Sequence, residues 1–436
     1  MKNRPVLIFI IIFLLFSPHL AKAEEILLNV DEAISLALRE NREFLLKNED
    51  VKKAKKKIAE SYGGLWPSLN FIGGWTDTKG LSQKDIALTT TQTTVKQTLY
   101  QGGKIINTIK YNQYGLEITQ ALLDKSRLDT VYTVQKAFYT LLLAKESVIL
   151  NQSILENTKE HLKFLEARYQ QGQASESDIL KVKESLNAVD EAYVISLSQL
   201  EAAQELLRNI LYLGGNVTIL PEGKFIYLPR EIIYSEAFLK AFEKRPEIRQ
   251  YEAQINADKR AIEIAKADNR PTIYASWEYF SRSSASVIAS GGTVTGSGGN
   301  GGGKNWNDYN TTGFIFSWPV FDGWATKAKV EQAIIDLKET QLLKEKTMKD
   351  IALDLKSAYL ELKNAVATVK SAESNIDFYR NYLNTVIQKK YAGQASFLEA
   401  DDANLRYNVS MFNRSQAMYD YIIAKAGFDK ATGGNL

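Results

Sequence analysis

Few side chains in this chain of 436 residues are suited to covalent or metal chemistry. It has no cysteine and two histidines, and His19 lies in the N-terminal segment, which leaves His161 for the rest of the chain. The absence of cysteine excludes disulfides, thiolate zinc sites, cysteine nucleophiles and lipid anchors on cysteine. With one histidine, histidine metal centres and Ser-His-Asp catalysis are close to excluded. The sequence therefore predicts no catalytic residue, no metal site and no cofactor.

The carboxylates and hydroxyls that remain recur in a fixed arrangement. The sequence Gly-Gln-Ala-Ser occupies residues 172–175 and occurs again, unchanged, at residues 393–396. An acidic residue, Asp178 or Glu399, follows each serine by three positions, which is the spacing of a capping box at the start of a helix. The glycine of each copy suits the left-handed residue that ends the preceding helix. Two tight turns between helices are predicted.

One enzymatic hypothesis stays open, because a pair of carboxylates can cleave a glycosidic bond. Against it, the acidic residues lie on helices with a seven-residue repeat rather than in a cleft-forming fold.

The charge balance of the chain indicates no nucleic acid partner. The first 23 residues carry three basic side chains and no acid, so the net charge of +3 belongs to them and the remainder is neutral.

Residues 1–23 have the pattern of an export signal peptide. Lys2 and Arg4 precede an apolar run over residues 6–16, which is too short to span a bilayer. The small residues of Ala-Lys-Ala at 21–23 provide a cleavage site. We expect the signal to be removed after Ala23; the alternative is an uncleaved membrane anchor.

A long internal repeat supplies the elements that position the two turns. Segments of the first half recur 204 residues later near the start of the repeat and 221 residues later near its end. The chain is therefore interpreted as two copies of one unit, residues 24–230 and 231–436. Each copy is predicted to be a helix, two strands, a long helix and a shorter helix, and a linker over 214–230 ends the first copy. The leading helices are expected over 31–64 and 234–268, the second with a break at Pro246. The Gly/Ser-rich run at 290–304 accounts for the extra residues of the second copy.

The two long helices, predicted over residues 104–171 and 324–391, carry matching heptad repeats. The heptad positions are Val134, Leu141, Val148, Leu155, Leu162 and Tyr169 in the first copy, and Leu355, Leu362, Val369, Ile376, Leu383 and Lys390 in the second. An apolar period of 3.5 residues over this length predicts left-handed coiled-coil packing.

Alternating segments between the helices predict β-strands. They lie at about residues 68–77, 92–100, 272–281 and 312–320. Ten-residue strands with an aromatic-rich apolar face are typical of transmembrane β-barrels, and all six tryptophans lie in or beside these segments. Four of them are assigned to the membrane interface, namely Trp66, Trp75, Trp277 and Trp318. The alternative is a small soluble sheet packed on the helices.

Four strands are too few to close a membrane barrel, and an open sheet edge cannot face lipid. Several chains must therefore share one barrel if these strands enter a bilayer. Three chains would supply twelve strands, so the predicted assembly is a homotrimer. The fold class is mostly α with a β-barrel part.

The ordered set of motifs resembles the TolC-like outer membrane efflux protein family. The motifs are Val-Asp-Glu-Ala-Ile-Ser-Leu-Ala at 30–37, Trp-Pro-Ser-Leu at 66–69, Leu-Tyr-Gln-Gly-Gly at 99–103, Arg-Pro at 270–271, Trp-Pro-Val-Phe-Asp-Gly at 318–323, and the turns 169–172 and 391–393. The resemblance implies a trimer in which a twelve-stranded outer membrane barrel stands on a long coiled-coil α-helical tunnel that extends into the periplasm. It further implies a passive exit duct of a tripartite efflux pump or a type I secretion system. The alternative is a soluble periplasmic coiled-coil scaffold.

The resemblance also implies partners at the two turns. Family members meet a periplasmic adaptor (membrane fusion) protein at their tips, and the adaptor links them to an inner-membrane pump of the RND, ABC or MFS type. The matching residues here are Gly172, Gln173, Ala174, Ser175, Gly393, Gln394, Ala395 and Ser396. Docking at these tips is expected to open the channel, and outer membrane lipid is expected around the strands. The cargo is not indicated.

An acidic pair and a gating contact complete the implied site. Glu399 and Asp402 match the family's acidic pair at the narrowest point, where threefold symmetry would make rings that favour cations. Lys181 takes the acidic position in the first copy. Asp178 and Tyr391 match a gating hydrogen bond, although this tyrosine stands two residues before its glycine where the family usually has three.

Overall fold

The protein is described by a computed structural model over residues 24–81, 84–215, 217–229, 232–288 and 306–434. The predicted export signal at 1–23 and the Gly/Ser-rich run at 290–304 lie outside the described residues. Within the described ranges the chain forms eight α-helices and six β-strands and is mostly helical. None of these helices combines the length and the apolar character needed to cross a membrane.

The order of elements repeats once along the chain. The helices are α1 (Val30–Glu40), α2 (Arg42–Gly63), α3 (Lys104–Gln170), α4 (Glu176–Ile210), α5 (Tyr234–Lys244), α6 (Pro246–Ala267), α7 (Ala325–Tyr391) and α8 (Phe397–Ala431). The strands are β1 (Glu24–Leu28), β2 (Ser68–Leu81), β3 (Lys84–Gln101), β4 (Val217–Pro221), β5 (Thr272–Ile288) and β6 (Trp306–Ser317). The series α1-α2-β2-β3-α3-α4 thus returns as α5-α6-β5-β6-α7-α8. The long helices α3 and α7 have 67 residues each.

The leading helix of each series is interrupted about one third of the way along, after 11 residues. In the second series the interruption is at Pro246, as predicted, because the residue before a proline is pushed out of helical conformation. In the first series the single helix expected over 31–64 also breaks, at Asn41, which has φ −64° and ψ 118°. The Asn41 side chain accepts hydrogen bonds from two backbone N–H groups at the start of α2 and donates to the carbonyl of Ile210. An amide side chain here does what proline does in the other copy.

Four strands form an antiparallel sheet in the order β2-β3-β5-β6. Strand β3 begins at Lys84, eight residues before the predicted start, because the threonine-rich stretch 89–94 pairs fully on both sides. Threonine favours strands but gives no apolar alternation, so the pattern at this position was missed. Strand β6 ends at Ser317 rather than 320, since Pro319 has no N–H to donate.

A second, two-stranded sheet was not predicted. Strand β1 pairs in parallel with β4, and Glu24 lies opposite Val217. Strand β4 falls inside the segment 214–230 that was expected to be a linker. Leu28 and Ile219 from these strands are buried, so the small sheet belongs to the hydrophobic core.

The chain divides into two compact units. The tip unit, as we name it for the two turns it contains, consists of residues up to Leu46, Asp124–Arg245 and Asp350–Leu436; the sheet unit consists of Lys47–Leu123 and Pro246–Lys349. One core cluster of the tip unit comprises Leu28, Ala33, Ala37, Val134, Ala137, Phe138, Leu141, Ala203, Leu207, Leu211 and Ile219. The heptad positions Val134, Leu141, Leu355 and Val369 are fully buried. This burial confirms the core-facing role that the repeat predicts.

An ion-pair network in the sheet unit joins the starts of both long helices. Lys104 Nζ donates to Asp268 Oδ1 at 2.8 Å, and Lys329 Nζ donates to Asp268 Oδ2 at 3.0 Å. The two hydrogen bonds hold the pKa of the Asp268 carboxyl below its usual range. Next to this network Gly102 has φ +59°, and a Cβ there would lie 2.7 Å from Cβ of Arg270. Only glycine fits at this close approach.

Candidate constriction and docking turns

Both Gly-Gln-Ala-Ser turns end a long helix in the same way. The N–H of Gly172 donates to the carbonyl of Tyr169 and the N–H of Gln173 donates to the carbonyl of Arg168, each at 2.9 Å. The second turn repeats the two bonds, at 3.1 and 2.8 Å. Gly172 and Gly393 have φ +73° and +71°, the left-handed conformation that glycine adopts without strain. Both turns are Schellman motifs.

The serine of each turn then caps the next helix. Oγ of Ser175 accepts a hydrogen bond from the N–H of Asp178 at 3.2 Å, and the Asp178 carboxylate accepts one from the N–H of Ser175 at 3.3 Å. Ser396 and Glu399 form the same reciprocal pair, at 3.1 and 2.8 Å. These bonds confirm the predicted capping boxes. The hydrogen bonds from Ser175 lower the pKa of Asp178.

The second of the two predicted constriction acids is part of an ion pair. Asp402 follows Glu399 by three residues and so lies on the same side of α8. Nε of Arg406, one turn further on, donates to Asp402 Oδ2 at 2.7 Å. The carboxylate raises the pKa of the Arg406 guanidinium above its usual range. The sequence has a basic residue, Lys181, at the matching position of the first copy. The pairing of Arg406 with Asp402 in the second copy was not predicted.

A polar groove runs beside this ion pair, between α7 and α8. Its volume is about 780 Å³. The polar side chains that line it are Thr368, Ser371, Asn375 and Tyr379 from α7, with Asp402, Arg406, Ser410 and Asn413 from α8. Ala367, Ala372, Leu405 and Val409 complete its lining. The side chains of Asp402 and Arg406 are 46% and 54% exposed, so water can reach both.

The carboxylate between the two predicted constriction acids makes a different contact. Asp401 Oδ2 lies 3.9 Å from Nδ1 of His161, which is buried. Burial raises the pKa of Asp401, and the opposing charges of His161 and Lys390 lower it by a smaller amount. The contact joins α3 to α8 close to the two turns. His161, which the sequence left without a role, therefore lies at the inner side of the candidate site.

The predicted gating pair is apart within a single chain. Among the described residues, no hydrogen bond joins Asp178 to Tyr391; the Tyr391 side chain is 88% exposed. The Asp178 carboxylate instead accepts from Oγ of Ser175 at 2.7 Å. A hydrogen bond between these two residues on different subunits stays a prediction.

The four tryptophans assigned to the membrane interface all lie in the sheet unit and are exposed. Trp66 and Trp75 are 74% and 70% exposed, and the other two are partly covered. Nε1 of Trp318 donates to the carbonyl of Asn269 at 3.2 Å. The Trp277 ring stacks on a neighbouring tyrosine ring, with centroids 6.5 Å apart. Large exposed aromatic surface marks a protein or membrane interaction site, so their place at a membrane interface stays a prediction.

Two features of the site were missed by sequence reasoning. The ion pair of Arg406 with Asp402 could have been predicted, because a basic residue four positions after an acidic one is the spacing of a helical ion pair. The contact of His161 with Asp401 was not, because the two residues are 240 positions apart and no local pattern connects them.

The family model described as outer membrane efflux protein matches residues 33–212 and 239–434. The outer membrane efflux protein BepC of Brucella suis is 20% identical over 343 residues, which cover 78% of this chain and 71% of BepC.

Solved structures of outer membrane channels have the same fold. The CmeC outer membrane channel of Campylobacter jejuni superposes with a TM-score of 0.73 at 16% identity, over 93% of this chain and 85% of CmeC. The open state of the MtrE outer membrane channel of Neisseria gonorrhoeae gives 0.72 at 16% identity, over 93% of this chain and 89% of MtrE. The family and the fold are those of channel proteins. With both of its halves matched, the chain belongs to the outer membrane efflux protein family and is an outer membrane channel-tunnel for efflux pumps, with its tunnel in the periplasm.

Proposed function

We propose that the chain acts as a homotrimer and is the exit duct of a tripartite efflux pump or of a type I secretion system. The observation that carries the trimer is the open sheet. Within the described residues, β2 pairs only with β3 and β6 only with β5. Unpaired strand edges are not tolerated in lipid. Three chains with four strands each would close a twelve-stranded barrel and leave no edge.

We propose that the chain consists of two repeats with the bounds predicted from the sequence. Each copy, residues 24–230 and 231–436, contributes two strands to the barrel and a long helix to the tunnel. The exposed tryptophans Trp66, Trp75 and Trp318 would then lie where the barrel meets the lipid head groups.

The two turns are the proposed docking sites for the periplasmic adaptor. Each turn presents a glycine, a glutamine and an alanine on a Schellman motif, so its backbone is rigid and its side chains are small. The adaptor would connect the duct to an inner-membrane pump of the RND, ABC or MFS type. The duct itself is passive and has no catalytic role, since its site carboxylates are occupied by a helix cap and an ion pair.

Glu399 and Asp402 are the proposed constriction residues. Threefold symmetry would bring their carboxylates into two rings, and a ring of carboxylates attracts cations and opposes anions. Asp178 and Tyr391 are the proposed gating residues. Their hydrogen bond would have to form between subunits, because Tyr391 is exposed within one chain.

The native mass of the detergent-extracted protein tests the trimer first. A trimer that is released from membranes only by detergent is the expected result. A monomer or dimer that is extracted without detergent would contradict the shared barrel, and would favour a periplasmic coiled-coil scaffold.

Crosslinking at the turns tests opening by docking. The chain has no cysteine, so Gln173→Cys with Gln394→Cys introduces thiols at the two turns alone. Bridging these thiols with a bifunctional reagent should stop efflux in cells, because it ties the tips together. Each single variant, treated in the same way, is the control. Undiminished efflux from the bridged double variant would contradict a gate at the tips.

A further inference from the structure

Helix α2 carries five lysines on one face of two turns. They are Lys52, Lys53, Lys55, Lys56 and Lys57, and all five side chains are exposed. Val51 and Ala54, on the same stretch of helix, are buried. At 100° per residue the lysines spread over about 200° of the circumference of α2, from the flank of Val51 to the flank of Ala54. We name these five residues the lysine face.

Ordinary ion pairing does not account for the lysine face. Among the described residues, only Lys52 of the five forms an ion pair, with Glu49 at 2.7 Å. No acidic residue interrupts residues 51–59. Five like charges within six positions repel one another, so such a cluster is costly unless a polyanion covers it.

The corresponding stretch of the other copy does not repeat this charge. At the five matching positions α6 has Asn256, Ala257, Lys259, Arg260 and Ala261. Asp258 lies among them and accepts a hydrogen bond from Gln254 at 2.7 Å. The helix α6 therefore forms with two of the five basic residues and an acid among them, so the fold does not require all five lysines of α2.

The lysine face lies just below the sheet within the same unit. Lys57 is six residues and Lys52 eleven residues before Gly63, the end of α2, which places them about 9 Å and about 17 Å along the helix axis from that end. The exposed Trp66 and the first residue of β2, Ser68, follow directly. With the sheet in the outer membrane, the nearest lysines lie within about one Debye length of the lipid surface.

We propose that the lysine face binds the anionic phospholipid head groups of the inner leaflet of the outer membrane. Juxtamembrane clusters of four to eight basic residues are attracted to anionic leaflets, and the attraction falls off within a Debye length of the surface. Long lysine side chains also extend towards the head groups from positions just outside the membrane. Each subunit of the trimer supplies one lysine face, so the lipid contact is confined to three patches around the duct.

Distance favours lipid over the other polyanion of the periplasm, the peptidoglycan. All five lysines lie within about 17 Å of the end of α2. A polymer layer held away from the membrane would meet residues further along the tunnel.

Tryptophan quenching measures this lipid preference directly. The whole protein is reconstituted in phosphatidylcholine vesicles that contain either dibrominated phosphatidylglycerol or dibrominated phosphatidylcholine. Bromine quenches only tryptophans that it contacts, and Trp66 follows Lys57 by nine residues along the chain. The ratio of the two quenching curves gives the preference for the anionic lipid over the neutral one.

A charge-matched pair of variants isolates the lysine face. The first variant replaces all five of its lysines with glutamine. The control variant replaces five exposed lysines of the tip unit with glutamine, namely Lys136, Lys145, Lys159, Lys163 and Lys363. We expect the wild type and the control to prefer phosphatidylglycerol by about fivefold at low salt and less in high salt. The first variant should lose this preference.

Three results would overturn the proposal. One is an unchanged preference in the first variant, and another is an equal loss in both variants, which would reflect net charge alone. The third is loss of binding to purified peptidoglycan by the first variant while its lipid preference is unchanged, which would assign the lysine face to peptidoglycan.

The inference rests on the sheet being in the bilayer, and an alkaline wash of the vesicles tests that separately. Release of the wild-type protein by the wash would overturn the shared barrel and the lipid contact together. Retention of the protein without any lipid preference would overturn the lipid contact alone.

Discussion

The two turns of the tip unit have one backbone design and two different charge patterns. Both turns have the same Schellman hydrogen bonds, the same left-handed glycine and the same reciprocal serine cap. In the first turn Asp178 is followed by Leu180 and Lys181. The matching positions of the second turn are Glu399, Asp401 and Asp402.

The difference shows that helix geometry and charge are set by separate residues. The Gly-Gln-Ala-Ser sequence and the acid three positions later fix how one helix ends and the next begins. The residues after the cap face a polar groove and a buried histidine, and they are free to differ. This separation would let one copy provide the proposed acidic ring while the other provides the same turn without it.

Removal of the acidic pair should have the largest effect. Glu399→Ala combined with Asp402→Ala is expected to reduce the preference for cations over anions several-fold, because both carboxylates of the proposed rings are lost. The reversal potential in planar bilayers across a KCl gradient measures this preference. Glu176→Ala with Glu184→Ala, two exposed acids of α4 after the other turn, makes the same change in net charge, is the control and should change little. Equal effects of the two double variants would remove the distinction between the turns.

Loss of the serine caps should affect both turns alike. Ser175→Ala and Ser396→Ala each remove an N-cap, at a cost of about 1 kcal/mol. Hydrogen exchange of the first turns of α4 and α8 should therefore speed up about fivefold in each variant. Threonine at either position retains the cap and should keep exchange slow. A response at one turn only would show that the two caps differ in ways that their hydrogen bonds do not reveal.

Removal of the basic partner of Asp402 should raise the cation preference moderately, whereas removal of the acidic pair should lower it. Arg406→Gln leaves the Asp402 carboxylate without its 2.7 Å ion pair, so the cation preference should rise about twofold, as exposed pairs contribute modestly. Bilayer recordings of reversal potential measure it. Arg414→Gln, two turns further along α8, makes the same change in net charge and should leave selectivity unaltered. A fall in cation preference would contradict a neutralising role for Arg406.

The smallest effect concerns the dependence of stability on pH. Burial raises the pKa of Asp401 in the folded chain above its ordinary value of 3.8. The folded state therefore favours the protonated carboxyl, and the stability that it contributes is present at acid pH and is lost as the pH rises through the raised pKa. Asp401→Asn removes that titration.

Thermal unfolding between pH 4 and pH 7 checks the sign. The loss of stability with rising pH should be smaller in Asp401→Asn than in the wild type. Asp402→Asn, at the adjacent and more exposed position, is the control. A steeper loss in the Asp401 variant would mean that the contact with His161 outweighs burial.

The parts of the fold that could be predicted are those with a local physical signal. The heptad at Val134 and Leu141, the glycine-serine turns and the break at Pro246 each depend on neighbours along one helix. The bounds of α3 and α7 lie within one residue of the predicted ones for the same reason.

The parts that could not be predicted depend on contacts far apart in sequence. The break at Asn41 is stabilised by the carbonyl of Ile210, and Asp401 meets His161 only after the chain has folded. Strand β3 was underestimated because threonine pairs well without being apolar. At the candidate site, local rules therefore predicted the caps, and tertiary contacts determined the environments of Asp401 and Asp402.

The pairing of β1 with β4 has a consequence for the time course of folding. Glu24 and Val217 are 193 residues apart, and both α3 and α4 lie between the two strands. A contact of such high sequence separation carries a large loop-closure cost unless the intervening helices have already packed. We expect β1 to join its partner late, after the helical hairpin has formed. Until then Leu28 and Ile219 stay exposed, and the half-folded chain offers an unpaired strand to any chaperone that escorts it.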